Sequence, residues 1–260
     1  MAIAFKRKPG LVAYITCGDP NLEASRDVAL AAIAAGAEVI ELGVPFSDPV
    51  ADGPVIQRAS ERALRQGTNL DSVLQIAREI REQSNAGVII FSYLNPIIQF
   101  GLDRFCSSIA AAGADGALVT DLPVEEAGDY LRAMKGRRLA PVFLAAPTST
   151  DERLRQIVRH SRGFIYAISR TGITGARQTL TEDAHLLVDR LRGLTQLPIA
   201  VGFGISSAAQ FAEVGSFADA AVIGSAIVQT IEENPGREAA AVSEFLSSIL
   251  CAPSQTQASS

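Results

Sequence analysis

The sequence predicts an α/β protein that folds as a (β/α)8 TIM barrel in a single domain. Eight short apolar runs have the length of strands, and segments with helical character lie between them. Eight such units fit into a barrel of about 250 residues. No Pro- or Ser-rich linker divides the 260 residues of the chain. The alternative arrangement of the same units is an open, doubly wound sheet.

The eight predicted strands are short runs with β-type composition. They are Leu11–Thr16, Val39–Leu42, Val88–Ser92, Ala117–Thr120, Val142–Ala146, Phe164–Ser169, Ile199–Gly202 and Ala221–Gly224. Two junctions at which a helix ends and a strand begins, Ala34–Glu38 and Ala111–Asp115, have nearly the same sequence. This recurrence favours repeated βα units, although convergence between Ala-rich segments explains it nearly as well.

The segments between the strands carry helix signals. Apolar residues recur at helical spacing over Thr68–Ser84, which predicts an amphipathic helix. A second helix is predicted over Asp103–Ala112, capped by its first residue and stopped by Gly113. The segments Ser149–Glu152 and Ser207–Gln210 have the spacing of capping boxes that open two more helices, with the serine as cap.

The bulk composition limits the classes of partner. With 48% hydrophobic and 20% charged residues, the chain has the composition of an ordinary globular protein. A net charge of −5 argues against a nucleic acid or an anionic membrane as partner. No apolar run approaches membrane-spanning length, and no cleavage signal follows the basic N-terminus. We expect the barrel domain to cover residues 1–251 and residues 252–260 to form a disordered tail.

Several kinds of catalytic chemistry lack the residues they need. The three cysteines, Cys17, Cys106 and Cys251, are far apart and form no CxxC pair, which favours a reducing compartment and a cytoplasmic protein. None of the three lysines lies in a predicted strand, so a Schiff-base aldolase is excluded. The two histidines, His160 and His185, fall in predicted helices or at their ends, and no set of residues has metal-ligand spacing. Acid–base work by carboxylates remains.

One carboxylate lies where a buried strand should end. Alternation along the second strand places Glu41 on the face of Val39 and Gly43, opposite Ile40 and Leu42, so Glu41 should point into the mouth of the barrel. Burying a charge there is costly, and this position favours proton transfer.

Two further carboxylates, Asp48 and Asp52, follow Glu41 in a loop rich in Gly and Pro. Each lies in a turn-like segment, where local hydrogen bonding accounts for an aspartate as well as catalysis does. The residues alone do not choose between the two.

The last two strands lead into loops that suit a phosphate group. These loops are Gly202–Ser207 and Gly224–Ala226. In barrels, backbone N–H groups of the corresponding loops and a helix N-terminus often bind phosphate, and Ser225 adds a hydroxyl. The Gly- and Thr-rich segment Ser169–Arg177 after the sixth strand has the composition of a mobile lid, or of an exposed connector.

Several motifs resemble those of the tryptophan synthase alpha chain family. The longest is ELGVPFSDPVADGP at Glu41–Pro54. The others are YITCGDP at Tyr14–Pro20, SRTGITG at Ser169–Gly175, GFGIS at Gly202–Ser206 and GSAIV at Gly224–Val228. The likeness runs from about residue 9 to about residue 250. It implies a (β/α)8 barrel that cleaves indole-3-glycerol phosphate to indole and glyceraldehyde 3-phosphate.

The resemblance also implies roles for individual residues. Glu41 would be the proton-transferring carboxylate, and Asp52, rather than Asp48, would be the second catalytic carboxylate. The implied substrate-binding residues are Tyr14 and Tyr166 as walls of the site, Thr174 as a lid residue, and Gly175, Gly204, Gly224 and Ser225 at the phosphate. One departure is Tyr14, because some members carry Phe there.

The family also implies a partner and the location of a cofactor. The partner would be the tryptophan synthase beta chain, in an alpha2–beta2 heterotetramer that receives the indole. This chain would hold no cofactor, and pyridoxal phosphate (PLP) would belong to the partner. Asp121 and the loop after the second strand match regions that face the partner, and Ser92–Pro96 is a variable form of a neighbouring loop. A stand-alone indole-3-glycerol phosphate lyase and a non-catalytic sugar-phosphate sensor are the alternatives.

Overall fold

Nine strands form one sheet in the computed structural model, which describes residue 3, residues 5–168 and residues 177–250. They are β1 (Gly10–Thr16), β2 (Val39–Gly43), β3 (Gly87–Ser92), β4 (Gly116–Val119), β5 (Ala140–Val142), β6 (Leu144–Ala145), β7 (Ile165–Ile168), β8 (Ile199–Gly202) and β9 (Ala220–Ile223). The sheet order is β5-β4-β3-β2-β1-β9-β8-β7-β6, and every neighbouring pair is parallel.

The two ends of this sheet meet in the sequence. Only Phe143 separates β5 from β6, so the chain passes from pairing with β4 to pairing with β7 within one residue. The barrel is therefore nearly closed, which confirms the predicted (β/α)8 class and excludes the open doubly wound sheet.

The predicted fifth strand, Val142–Ala146, differs most from the structure. It starts two residues earlier, at Ala140, and is interrupted at Phe143. The interruption falls where the chain changes its partner strand, because Val142 pairs with Leu118 of β4 and Leu144 pairs with Tyr166 of β7. The last residue of the predicted sixth strand, Ser169, and the predicted tail at residues 252–260 lie outside the described residues.

Helices cover the outside of the barrel in the described part of the chain. They are α1 (Leu22–Ala35), α2 (Pro54–Arg65), α3 (Leu70–Gln83), α4 (Leu94–Phe100), α5 (Leu102–Ala111), α6 (Gly128–Gly136), α7 (Asp151–His160), α8 (Arg177–Arg192), α9 (Ala208–Phe217), α10 (Ser225–Glu233) and α11 (Glu238–Leu250). None of these described helices is both long and apolar enough to cross a membrane.

One predicted helix cap is confirmed and two are wrong. Ser207 caps α9 and accepts the backbone N–H three residues further on at 3.3 Å. Thr150, not Ser149, caps α7, because the hydroxyl of Ser149 accepts a backbone N–H in the preceding loop. Gly101, not Asp103, occupies the cap position of α5, since its φ of +92° turns the chain from α4 directly into α5.

The strands separate two apolar layers. Side chains inside the barrel come from alternate positions; they are Val12, Val39, Ile89, Leu118, Val142, Phe164, Ala200, Ala220 and Val222. Side chains at the intervening positions, such as Ile40 and Leu42, pack outward against the helices. This alternation confirms the two predicted faces of β2 and directs Glu41 into the barrel above Val39.

Candidate active site

A cavity of about 240 Å³ opens at the carboxyl ends of the strands. Seven of the nine predicted site residues line it; they are Tyr14, Glu41, Asp52, Tyr166, Gly204, Gly224 and Ser225. The other two, Thr174 and Gly175, lie outside the described residues. Residues separated by up to about two hundred positions in the sequence thus meet at one site, at the barrel end where chemistry is expected.

Glu41 is the fully buried carboxylate of this cavity. It lies in β2 between Tyr14 of β1 and Ile89 of β3, with 0% of its surface exposed. Neither carboxylate oxygen has a hydrogen-bond partner among the described residues. Burial disfavours the charged form and raises the pKa of Glu41 to about 8. Glu41 therefore holds a proton at neutral pH and is suited to act as an acid.

This raised pKa predicts a pH-dependent difference between the wild type and Glu41→Gln. Below pH 4.5 the carboxyl is protonated in both the folded and the unfolded chain, so its ionisation does not affect stability. Between pH 4.5 and about 8 the folded chain binds the proton more tightly, so stability falls as the pH rises. As the pH rises from 4.5 to about 8, the free energy of unfolding of Glu41→Gln should therefore increase relative to that of the wild type, by up to about 1.4 kcal/mol for each pH unit. Urea unfolding at several pH values measures this difference, and a constant difference would contradict the burial of an ionisable Glu41.

The structure separates the two loop aspartates. Asp48 is exposed and does not line the cavity, whereas Asp52 is half-buried at its rim. The Oη of Tyr93 donates to Oδ2 of Asp52 at 3.0 Å and accepts the N–H of Ala51 at 3.0 Å. The ring of Tyr93 also packs on Phe46, with centroids 5.1 Å apart. Tyr93 thus holds the loop that presents Asp52 to the cavity.

Sequence reasoning missed this role of Tyr93. The motifs identify the segment that contains it, Ser92–Pro96, only as a variable form of a loop near a partner. The contact with Asp52 joins residues 41 positions apart. A tyrosine directly after a strand at the catalytic end of a barrel was the only available signal.

Two tyrosines form aromatic walls, and each lies over a glycine of the next strand. Tyr14 of β1 lies over Gly43 of β2, where an added Cβ would overlap its hydroxyl. Tyr166 of β7 lies over Gly202 of β8, where an added Cβ would come within 2.6 Å of Oη. Because glycine has no side chain, each tyrosine ring can lie directly over the neighbouring strand. Tyr14 also packs edge-on against Phe91, with centroids 5.0 Å apart.

We expect Gly202→Ala to destabilise the fold by about 1–3 kcal/mol, because the new methyl group overpacks against Tyr166. Urea unfolding measures the loss. In a Tyr166→Phe background the same change should cost less, because the nearest overlapping atom is gone. Gly128→Ala is the matched control, since its Cβ would make only an ordinary contact at 3.7 Å. Equal losses at Gly202 with and without the Tyr166 hydroxyl would contradict the overlap.

The glycine-rich loops lie at another side of the same cavity. Gly204 has a φ of +88°, a conformation that favours glycine, and an added Cβ there would meet nothing within 4 Å. Gly224 precedes α10 and provides no side-chain cap, and Ser225 is the first residue of that helix. The first N–H groups of α10 are therefore available to an anion in the cavity. This arrangement suits the phosphate end of a substrate.

Within the described residues, neither a histidine nor a cluster of metal-binding side chains lies at the cavity. Among the described residues, no three His, Cys, Asp or Glu side chains lie close enough to bind a metal ion. His160 ends α7, and His185 in α8 packs on Phe217 with centroids 5.0 Å apart. Both described cysteines, Cys17 and Cys106, are buried free thiols.

Comparisons with known proteins agree on one family. The family model of the tryptophan synthase alpha chain matches residues 2–256. The tryptophan synthase alpha chain of Solibacter usitatus is 52% identical over 88% of this chain and 86% of its own length. That of Methylibium petroleiphilum is 46% identical over 94% of this chain and 90% of its own length.

Solved structures of the same family have the same fold. Tryptophan synthase subunit alpha from Legionella pneumophila superposes with a TM-score of 0.86 at 37% identity, covering 94% of this chain and 92% of that chain. A chain of the tryptophan synthase complex from Pyrococcus furiosus superposes with a TM-score of 0.86 at 33% identity, covering 94% of this chain and 98% of that chain.

Proposed function

The chain belongs to the tryptophan synthase alpha chain family, and from this premise we propose that it cleaves indole-3-glycerol phosphate to indole and glyceraldehyde 3-phosphate. The reaction is a retro-aldol cleavage, which makes the protein a carbon–carbon lyase. The observation that carries the proposal is the buried Glu41, which has no hydrogen-bond partner among the described residues and shares its cavity with Asp52 and the glycine-rich loops.

Glu41 acts first as an acid and then as a base. Its proton goes to C3 of the indole ring, which leaves a positive charge on the ring nitrogen. The carboxylate then accepts the proton of the hydroxyl group on the adjacent glycerol carbon, directly or through water. The bond between that carbon and C3 breaks, its electron pair returns to the ring, and the hydroxyl carbon becomes the aldehyde. The raised pKa of Glu41 supports the first step, because the acid form predominates at neutral pH.

Asp52 holds the ring N–H and stabilises the positive charge that develops there. A fixed negative charge beside a site of developing positive charge lowers the barrier because the carboxylate needs no reorganisation during the reaction. The hydrogen bond from Tyr93 supports this role, since it fixes the carboxylate in place before substrate arrives.

The remaining residues bind the substrate. Gly204, Gly224 and Ser225 bind the phosphate through backbone N–H groups and the serine hydroxyl, together with Gly175. Tyr14 and Tyr166 flank the ring, and Thr174 meets Asp52 when the lid closes. Anchoring the phosphate aligns the glycerol chain and supplies binding energy far from the reacting bond.

The partner is a tryptophan synthase beta chain, which receives the indole. We place the protein in the cytoplasm, in an alpha2–beta2 heterotetramer whose PLP belongs to the beta chain. Structures of relatives that are named as tryptophan synthase complexes support the partner. In this chain, the N–H of Leu94 donates to Asp121 at 2.7 Å, which ties together two loops on the side predicted to face the partner.

Cleavage of indole-3-glycerol phosphate, with and without the beta chain of the same organism, tests the function. We expect indole release by the chain alone and a large increase when the beta chain is added. Release without any increase would mean a stand-alone lyase. No release in either case would contradict the proposal and favour a sugar-phosphate sensor.

A further inference from the structure

A chain of ion pairs joins three segments around the cavity. Arg62 in α2 donates through Nε and Nη2 to both carboxylate oxygens of Asp19, at 2.7 and 2.8 Å. Its Nη1 donates to Oε1 of Glu232 in α10 at 2.6 Å. Arg58, one turn earlier in α2, donates to Glu232 through Nε and Nη2 at 2.9 and 2.6 Å. We call Asp19, Arg62 and Glu232 the ion-pair junction; Arg58, whose side chain is 50% exposed, lies beside it.

The ion-pair junction differs from ordinary surface salt bridges. Asp19 is only 2% exposed, and the side chains of Arg62 and Glu232 are 30% and 26% exposed. Hydrogen bonds from Arg58 and then Arg62 lower the pKa of Glu232 to about 2, so Glu232 stays charged. A planar guanidinium that meets one carboxylate with two nitrogens and another with a third fixes the orientation of both partners, which an ammonium group does not do.

Each segment that Arg62 joins also contributes to the cavity. Asp19 lies five residues after Tyr14, which belongs to β1. The helix that carries Arg62 begins at Pro54, two residues after Asp52. The helix that carries Glu232 begins at Ser225. Helix α2 also packs against α10 and β1. Arg62 does not line the cavity itself. Through these segments it connects the aromatic wall at Tyr14, the carboxylate of Asp52 and the phosphate end at Ser225.

The geometry points to Arg62 as a positioning residue that fixes the spacing between Asp52 and the phosphate-binding start of α10. The inference rests on the proposed function, which makes Asp52 the group that holds the indole ring and the start of α10 the group that binds the phosphate. A substrate with a rigid ring at one end and a phosphate at the other needs both ends at a set separation, and a misplacement of about 1 Å can lower the rate by about 10²-fold.

Three variants separate positioning from simple stability. Arg62→Lys keeps a positive charge beside buried Asp19 but loses the three-nitrogen geometry. Glu232→Ala detaches α10 while the pair of Arg62 with Asp19 stays intact, so it remains informative if Arg62→Lys folds poorly. Arg58→Gln is the matched control, because Arg58 lies on the same helix and, within the described part of the chain, its side chain bonds only to Glu232.

The expected results are specific. We expect kcat/KM for indole-3-glycerol phosphate to fall about 10²-fold in Arg62→Lys and about 10-fold in Glu232→Ala, with both kcat and KM affected. Arg58→Gln should stay within about twofold of wild type, because an exposed ion pair contributes little. All rates are measured well below the melting temperature of each variant.

Hydrogen exchange read by mass spectrometry gives a measurement that does not depend on activity. In Arg62→Lys, exchange should accelerate in two separate segments, residues 50–57 and residues 225–230, and not across the whole chain. If the wild type fails to cleave the substrate but these two segments loosen together, the proposed function fails and the positioning role stands. Unchanged exchange in either segment, or turnover of both junction variants within twofold of wild type, would overturn the positioning role.

Discussion

Replacing Glu41 with Gln lowers kcat for indole-3-glycerol phosphate cleavage by about 10²-fold or more, because the amide can neither deliver nor accept the proton. The side chain keeps its size and carries no charge, so it resembles the protonated carboxyl group that the cavity holds at neutral pH. Steady-state indole release, with the beta chain present and absent, measures the loss. The effect on KM should be small, because Glu41 acts on the reacting bond and not on the anchoring groups.

Glu38→Gln is the matched control for this variant. Glu38 lies just before the same strand, at the opposite end of the barrel, where its carboxylate accepts the backbone N–H groups of Lys6 and Arg7. It should keep wild-type turnover. Near wild-type turnover by a folded Glu41→Gln protein would refute proton transfer by Glu41. The pH profile of kcat/KM gives a second check, since activity that needs the acid form should fall above about pH 8.

Asp52→Asn should lower kcat by about 10²-fold, because a neutral amide no longer stabilises positive charge on the ring nitrogen. The amide oxygen can still accept from Tyr93, so the loop should keep its place. Asp48→Asn, four residues away in the same loop and exposed to solvent, is the control and should change turnover by less than about twofold. Indole release by the two variants under identical conditions decides between the carboxylates.

Equal losses in Asp48→Asn and Asp52→Asn would contradict the assignment, and so would near wild-type turnover by Asp52→Asn. Tyr93→Phe helps to interpret an intermediate result. It removes the hydrogen bond to Asp52 and leaves the carboxylate, so it should cause a smaller loss than Asp52→Asn.

Local patterns in the sequence were enough to predict the barrel and the direction of Glu41. Alternation along one strand separates Val39 and Glu41 from Ile40 and Leu42 without any knowledge of the rest of the fold. Likewise, the glycine-rich loops follow their strands directly, so their meeting at one end of the barrel follows from parallel pairing alone. The interruption of the fifth strand was not predicted, because it depends on which strands pair with the residues on either side of Phe143.

Contacts between distant segments were beyond the reach of these patterns. Asp48 and Asp52 lie in equivalent turn signatures, and only the path of the loop exposes one and brings the other to the cavity. The bonds of Tyr93 to Asp52 and of Arg62 to Asp19 join residues 41 and 43 positions apart. Neither residue type nor spacing encodes such pairs. The roles of Thr174 and Gly175 stay predictions.

Glu41 is buried without a hydrogen bond among the described residues, and so thermal stability and catalysis make opposite demands on this one position. A carboxyl group that has no hydrogen bond among the described residues keeps its proton at neutral pH, yet it weakens the fold whenever the surrounding pH favours ionisation. If a library of variants is selected only for thermal stability at alkaline pH, substitutions of Glu41 should therefore be enriched early. The selected variants should be stable but catalytically inactive.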